Sequence, residues 1–120
     1  MHELSIAQSI VDIIGQYVPE DQAADVRLVK VRIGGLAGVV PDSLDFCFGA
    51  IISGTSLNQA SLDIEEIPIQ SQCAGCGEIF IVEGAAFLCP SCGSPEVKVI
   101  SGTELQVVEI ELSERQTETV

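Results

Sequence analysis

Apolar residues recur at three- and four-residue steps near the start of the chain, beginning at Leu4 and ending at Val18. This spacing predicts an amphipathic α-helix, because residues three and four apart share one face of a helix. The face expected to pack into the core consists of Leu4, Ala7, Ile10, Val11, Ile14 and Val18. Pro19 ends the pattern, and Met1 to Glu3 are then held at the first turn of the helix.

A second helix is expected to begin near Pro41, with Asp42 or Ser43 as its cap, and to end at Gly54. Its predicted apolar face consists of Leu44, Cys47, Phe48, Ile51 and Ile52. We interpret Cys47 as a small buried residue, because no histidine lies near it in sequence to activate it as a nucleophile.

Alternation of apolar and polar residues predicts strands at 26–33, 62–67 and 105–112. In the first strand Val29, Val31 and Ile33 share one face, opposite Lys30 and Arg32. A solvated sheet face is the favoured interpretation of these bases, and a docking patch for an acidic partner is the alternative. In the last strand the alternation shifts at residues 107 and 108, which predicts a bulge, and we expect the polar tail 113–120 to fray.

Four of the five cysteines form two Cys-x-x-Cys pairs, Cys73 with Cys76 and Cys89 with Cys92, each followed by glycine. Four thiolates at the corners of a tetrahedron are what Zn²⁺ prefers in structural sites. The glycine lets the backbone turn tightly, so that amide groups can point at the sulfurs. Short strands at 79–82 and 97–100 complete the expected zinc ribbon.

These elements predict an α+β fold, with two helices on a three-stranded sheet and a Cys₄ zinc ribbon inserted before the last strand. The predicted domains are 1–66 with 101–120, and 67–100. The ribbon is smaller than the roughly 40 residues at which an apolar core alone suffices, so metal binding should be part of its folding free energy. An insert joined by short connections also allows domain swapping, so a homodimer is one expected state.

The charge and composition of the chain argue against nucleic-acid-binding and membrane-spanning proteins. The formal net charge is −13, from 18 acidic residues against five basic ones. Such a chain repels phosphate backbones, so we expect no nucleic-acid partner, whereas a cation or a basic protein face suits it. No apolar run approaches the roughly 20 residues that span a bilayer, and no basic segment precedes an apolar one at the start. We therefore expect a cytoplasmic protein without a membrane partner, in which the thiols bind metal rather than form disulfides.

The one histidine of the chain, His2, lies beside the α-amino group of Met1 and the carboxylate of Glu3. An imidazole, an amine and backbone amides form a nitrogen-rich set that suits square-planar Ni²⁺ or Cu²⁺. From these residues alone, however, an exposed terminal histidine without a function is the commoner interpretation.

The opening Met1-His2-Glu3-Leu4-Ser5, followed by a four-cysteine ribbon, resembles the HypA/HybF family of hydrogenase nickel-insertion proteins. The likeness covers nearly the whole chain and includes both Cys-x-x-Cys-Gly pairs and the segments 31–36, 40–48, 54–55, 60–64 and 101–105. The tail after Leu112 lies outside the pattern.

The resemblance implies a nickel metallochaperone of [NiFe]-hydrogenase maturation rather than an enzyme. It implies that Ni(II) binds at Met1, His2 and Glu3, and that a structural Zn(II) binds at Cys73, Cys76, Cys89 and Cys92. It further implies an accessory GTPase as partner and delivery of nickel to the precursor of the hydrogenase large subunit. Some members of this family also serve urease.

Two other functions remain open from the residues. The chain could be a zinc-stapled protein-interaction module with no nickel-carrier role. It could also bind iron in the manner of a rubredoxin, since Cys89-Pro-Ser-Cys92-Gly resembles a rubredoxin half-site, although the short spacing of twelve residues between the pairs argues against this. Hydrolytic or nucleophilic catalysis is not expected, because the chain has only one histidine and no Ser/His/Asp arrangement can be assembled around it.

Overall fold

Two helices pack against each other in this computed structural model, which describes residues 3–83, 87–113 and 117–119. Helix α1 spans Glu3–Tyr17 and helix α2 spans Pro41–Ile52. The buried residues of α1 are Ile6, Ala7, Ile10 and Ile14. The prediction that Leu4 faces the core is wrong, because its side chain is 57% exposed and Ile6 lies inside instead. Leu4 and Ile6 both fit a three- or four-residue spacing, so packing against α2 and the sheet decides between them.

The cap of helix α2 lies two to three residues before the predicted cap at Asp42 or Ser43. Val40 is the cap residue, its side chain makes no capping hydrogen bond, and Pro41 occupies the first turn. Proline suits this position, because its missing N–H would have no helical partner there in any case. The predicted apolar face is confirmed: Leu44, Phe48 and Ile52 are buried, and Cys47 and Ile51 are partly buried.

Within the described part of the chain, seven strands form two separate sheets. They are β1 (Val26–Gly34), β2 (Ser61–Ile67), β3 (Gln70–Cys73), β4 (Ile79–Ile81), β5 (Val97–Ser101), β6 (Leu105–Leu112) and β7 (Thr117–Thr119). The main sheet has the order β2-β1-β6-β7, with β1 parallel to β2 and the other pairs antiparallel. Strand β7 is a fourth strand beyond the three expected. The prediction of a frayed tail is therefore wrong for 117–119.

The two faces of β1 have the predicted polarity. Val29, Val31 and Ile33 are buried in the core, while Lys30 and Arg32 lie on the opposite face. Both bases have carboxylate partners: Lys30 Nζ lies 3.1 Å from Glu109 and Arg32 Nε lies 2.7 Å from Glu65. These ion pairs favour the solvated-face interpretation over a docking patch for an acidic partner.

The bulge predicted in β6 is present. Lys30 pairs with Glu109 and Val31 pairs with Val107, so that Val108 is the extra residue. It keeps Val107 and Ile110 facing the core, although their spacing departs from strict alternation.

The second sheet, β4-β3-β5, is antiparallel and lies within residues 70–101, between β2 and β6 in the chain. Cys73 ends β3, Cys76 lies between β3 and β4, and Cys89 and Cys92 lie between β4 and β5. The α+β class with an inserted four-cysteine module is therefore confirmed. The exact domain boundaries at 66–67 and 100–101 stay a prediction. Within the described residues, no helix is both long and apolar enough to cross a membrane.

Candidate metal-binding sites

The four predicted cysteines come together at one end of the second sheet. Their Sγ atoms all lie within 4.8 Å of one another, with 3.5 Å from Cys73 to Cys92 and 3.6 Å from Cys76 to Cys89. All four are free thiols. A tetrahedral Zn²⁺ with Zn–S bonds of ~2.3 Å holds its sulfurs ~3.8 Å apart, which is close to the spacing observed. The cluster is therefore compatible with a metal such as zinc.

The two Cys-x-x-Cys turns have the same backbone hydrogen bonds. The Gly77 N–H donates to the Cys73 carbonyl at 2.9 Å, and the Gly93 N–H donates to the Cys89 carbonyl at 2.7 Å. Both glycines have positive φ, 78° and 75°. An L side chain is strained in that region, which is why glycine closes each turn. Each pair therefore contributes one buried and one exposed cysteine to the same cluster.

Backbone amides point at the sulfurs, as the sequence predicted. The N–H of Cys76 is the main cause that lowers the pKa of the Cys73 thiol to about 7. The N–H of Glu78 likewise favours the thiolate of Cys76, but the neighbouring sulfurs, Cys89 foremost, raise the pKa of Cys76 to about 12. Without a metal, one thiolate thus opposes ionisation of the others, and a bound divalent cation would remove this repulsion.

Of the three residues predicted to bind nickel, only Glu3 lies within the described part of the chain. Met1 and His2 lie outside the described residues, and Glu3 is the first residue of α1. The Glu3 side chain is half-buried, and its Oε2 atom accepts a hydrogen bond from the Val40 N–H at 3.3 Å. Sequence reasoning missed Val40, because a backbone donor 37 residues away leaves no local signal.

A close approach of two glycines joins the main sheet to the connection between β5 and β6. A Cβ atom built on Gly34 would lie 2.1 Å from the carbonyl carbon and oxygen of Gly102. Beside this contact, the Leu36 N–H donates to the Gly102 carbonyl at 2.9 Å and the Gly34 N–H donates to the Glu104 carbonyl at 2.7 Å. Gly102 has a φ of 102°, so glycine is required on both sides of the contact.

Comparison with known proteins shows which family this chain belongs to. A family model described as "Hydrogenase/urease nickel incorporation, metallochaperone, hypA" matches residues 1–112. The chain belongs to the HypA family. A hydrogenase maturation factor HypA of Desulfosudis oleivorans is 44% identical over 115 residues, which cover 95% of this chain and 100% of that protein. The HypA of Geobacter metallireducens is 44% identical over 114 residues, covering 93% of this chain and 99% of the relative.

Solved structures support the fold of a HypA protein. The solution structure of the Ni metallochaperone HypA from Helicobacter pylori superposes with a TM-score of 0.63 at 23% identity, covering 93% of this chain and 97% of that one. The family resemblance inferred from the opening motif and the cysteine pairs is therefore confirmed. The description of this family is that of a metallochaperone for nickel incorporation into hydrogenase and urease.

Proposed function

We propose that this HypA protein binds Ni(II) at its amino terminus and delivers it to the precursor of the hydrogenase large subunit. Met1 supplies its α-amine and His2 its imidazole, and Glu3 completes the Met-His-Glu motif. The observation that supports this most is the family match over residues 1–112, which takes in both this motif and the cysteine pairs. Nitrogen donors of this kind suit square-planar Ni²⁺.

The cysteine cluster is proposed as a structural Zn(II) site held by Cys73, Cys76, Cys89 and Cys92. Four protein thiolates leave no open position, so the bound metal fixes the two turns and offers no site for a substrate. The inserted module has few buried side chains among its described residues, and two of these are the cysteines Cys73 and Cys89 themselves. Zinc binding should therefore supply a large part of the folding free energy of this module.

The two proposed sites differ in how readily they exchange their metal, as a metal carrier requires. A site made from the chain terminus and one side chain is exposed and easily remodelled, so that metal can enter and leave. The closed cluster of four thiolates exchanges its metal slowly by comparison. We assign nickel to the first and zinc to the second for this reason.

The decisive experiment is calorimetric titration of Ni²⁺ into zinc-loaded protein, with wild type beside His2→Ala. One nickel site in the wild type and none in the variant, with zinc content unchanged, is the expected result. Equal nickel binding in both proteins would place the metal elsewhere. No binding in either would leave a zinc-stapled interaction module as the function. Addition of Gly-Ser ahead of Met1 tests the α-amine, because it moves the amine away from His2.

A matched pair of variants tests the zinc assignment. Cys76→Ser removes a sulfur of the cluster, whereas Cys47→Ser removes a thiol of α2 that lies outside it. We expect loss of zinc and of the second sheet in the first variant only. A coloured, iron-containing protein after purification would instead favour the rubredoxin-like alternative.

Delivery is proposed to involve two protein partners, an accessory GTPase of hydrogenase maturation and the large-subunit precursor. Mixing nickel-loaded protein with purified precursor, followed by separation and metal analysis, should show nickel on the precursor. The His2→Ala protein should transfer none. Sedimentation of the free protein and of each mixture decides between a monomer and the proposed homodimer.

A further inference from the structure

The hydrogen bond between Glu3 and Val40 fixes the start of α1 to a distant loop. Val40 precedes Pro41 at the beginning of α2, where backbone N–H groups have no helical acceptor. The Glu3 carboxylate supplies that acceptor at 3.3 Å. One side chain therefore satisfies an otherwise unpaired donor of α2 and holds the first turn of α1, which would fray without a contact of this kind.

The loop that receives Glu3 is itself held in place. It runs from Gly35 to Val40 and contains a 3-10 turn, Gly35–Ala37, closed by a bond from the Gly38 N–H to the Gly35 carbonyl at 3.2 Å. At its other end the Leu36 N–H donates to the Gly102 carbonyl. Glu3 is thus attached to a structured segment rather than to a free loop.

We propose that Glu3 is a positioning residue: its carboxylate engages Val40 and orients Met1 and His2, and does not serve as a nickel ligand. This inference rests on the proposed nickel site at the amino terminus. Met1 and His2, which carry the proposed amine and imidazole donors, directly precede Glu3 in the sequence. Anchoring the first turn of α1 lowers the conformational entropy that the terminus must lose when it closes around the metal.

Three substitutions separate positioning from ligation. Glu3→Gln keeps the length and an acceptor oxygen but loses the charge. Glu3→Asp keeps the carboxylate but is one methylene shorter, so it no longer reaches Val40. Glu3→Ala loses both. Asp42→Asn is the control for charge, because Asp42 is an exposed acid two residues beyond Val40.

The first readout is nickel affinity of the zinc-loaded proteins. With a positioning role, Glu3→Gln binds as the wild type does, whereas Glu3→Asp and Glu3→Ala each weaken binding by about 2- to 10-fold, the range that corresponds to one net hydrogen bond. Asp42→Asn has no effect. The opposite order, with Glu3→Asp retaining affinity and Glu3→Gln losing it, would identify the carboxylate as a ligand and overturn the proposal.

The second readout needs no nickel. The Val40 amide resonance of nickel-free protein should shift, and its hydrogen exchange accelerate, in Glu3→Asp and Glu3→Ala but not in Glu3→Gln. An unchanged Val40 amide in Glu3→Ala would refute the anchor even if the nickel site at His2 stands. Nickel binding that survives His2→Ala would instead refute the proposed nickel site while leaving the Val40 result valid.

Discussion

Replacement of Gly34 by alanine tests the contact that joins the main sheet to the β5–β6 connection. The new Cβ atom would lie 2.1 Å from the carbonyl carbon and oxygen of Gly102 and 2.6 Å from the Thr103 nitrogen. Ordinary carbon contacts begin at ~3.5 Å, so one backbone must move by more than ~1 Å. The atoms that the new Cβ would meet belong to the main chain of Gly102 and Thr103, so a change of side-chain rotamer cannot relieve the contact.

The magnitude follows from what that movement breaks. Overpacking of this kind costs ~1–3 kcal/mol. The shift also strains the bonds from the Gly34 N–H to Glu104 and from the Leu36 N–H to Gly102, each worth ~0.5–1.5 kcal/mol net. We expect Gly34→Ala to lower the free energy of unfolding by ~2–6 kcal/mol, a large part of the ~5–15 kcal/mol typical of a domain.

The assay is urea unfolding of zinc-saturated protein, followed by circular dichroism, with Gly49→Ala as the matched control. Gly49 lies within α2, and a Cβ there would meet nothing within 4 Å. Alanine should stabilise that helix by ~0.5–1 kcal/mol. A Gly34→Ala protein as stable as the wild type would refute the reasoning, because it would show that the two backbones separate at no cost.

Three further predictions concern the cysteine module. Ser71→Ala should raise stability by ~1 kcal/mol in thermal unfolding, because the fully buried Ser71 hydroxyl finds no hydrogen-bond partner among the described residues; a loss of stability would reveal a partner. Zinc binding should release one more proton below about pH 7 than above it, because the lowered pKa of Cys73 leaves this residue a thiol below that pH and a thiolate above it. Calorimetry in buffers of different ionisation enthalpy measures the number of protons released, and a number that does not change with pH would contradict this. The lowered pKa also means that the contribution of Cys73 to metal-free stability is present above the ordinary thiol pKa and is lost as pH falls through about 7, which urea unfolding of Cys73→Ser beside wild type would detect.

Local patterns in the sequence were sufficient where one element determines its own environment. The alternation at Val29, Val31 and Ile33 identified the core face of β1, because residues two apart share a face whichever strands pair beside them. The cysteine spacing likewise predicted the cluster, because each turn is closed by its own glycine. These features need no information about distant residues.

Features that depend on distant partners could not be found in this way. Strand β3, Gln-Ser-Gln-Cys, has the composition of a loop and becomes a strand because β4 and β5 pair with its two edges. Strand β7 is a short polar segment that pairs with Glu109–Glu111 at the edge of β6. Leu4 and Ile6 fit the helical spacing equally well, and only the packing of α1 against α2 and the sheet puts Ile6 inside.

The segment 34–40 has a role that its sequence does not reveal. From alternation alone, Gly34 and Gly35 mark the end of a strand; in the structure this segment contacts Gly102 through Gly34 and Leu36, and Glu3 through Val40. Backbone atoms make these contacts, so substitution of the 46% exposed Leu36 side chain should matter little, whereas a change that moves the backbone should matter at both ends. Gly34→Ala should therefore disturb the Val40 amide as well as global stability. If Val40 keeps its wild-type resonance in that variant, the two contacts are independent and the segment is not one rigid unit.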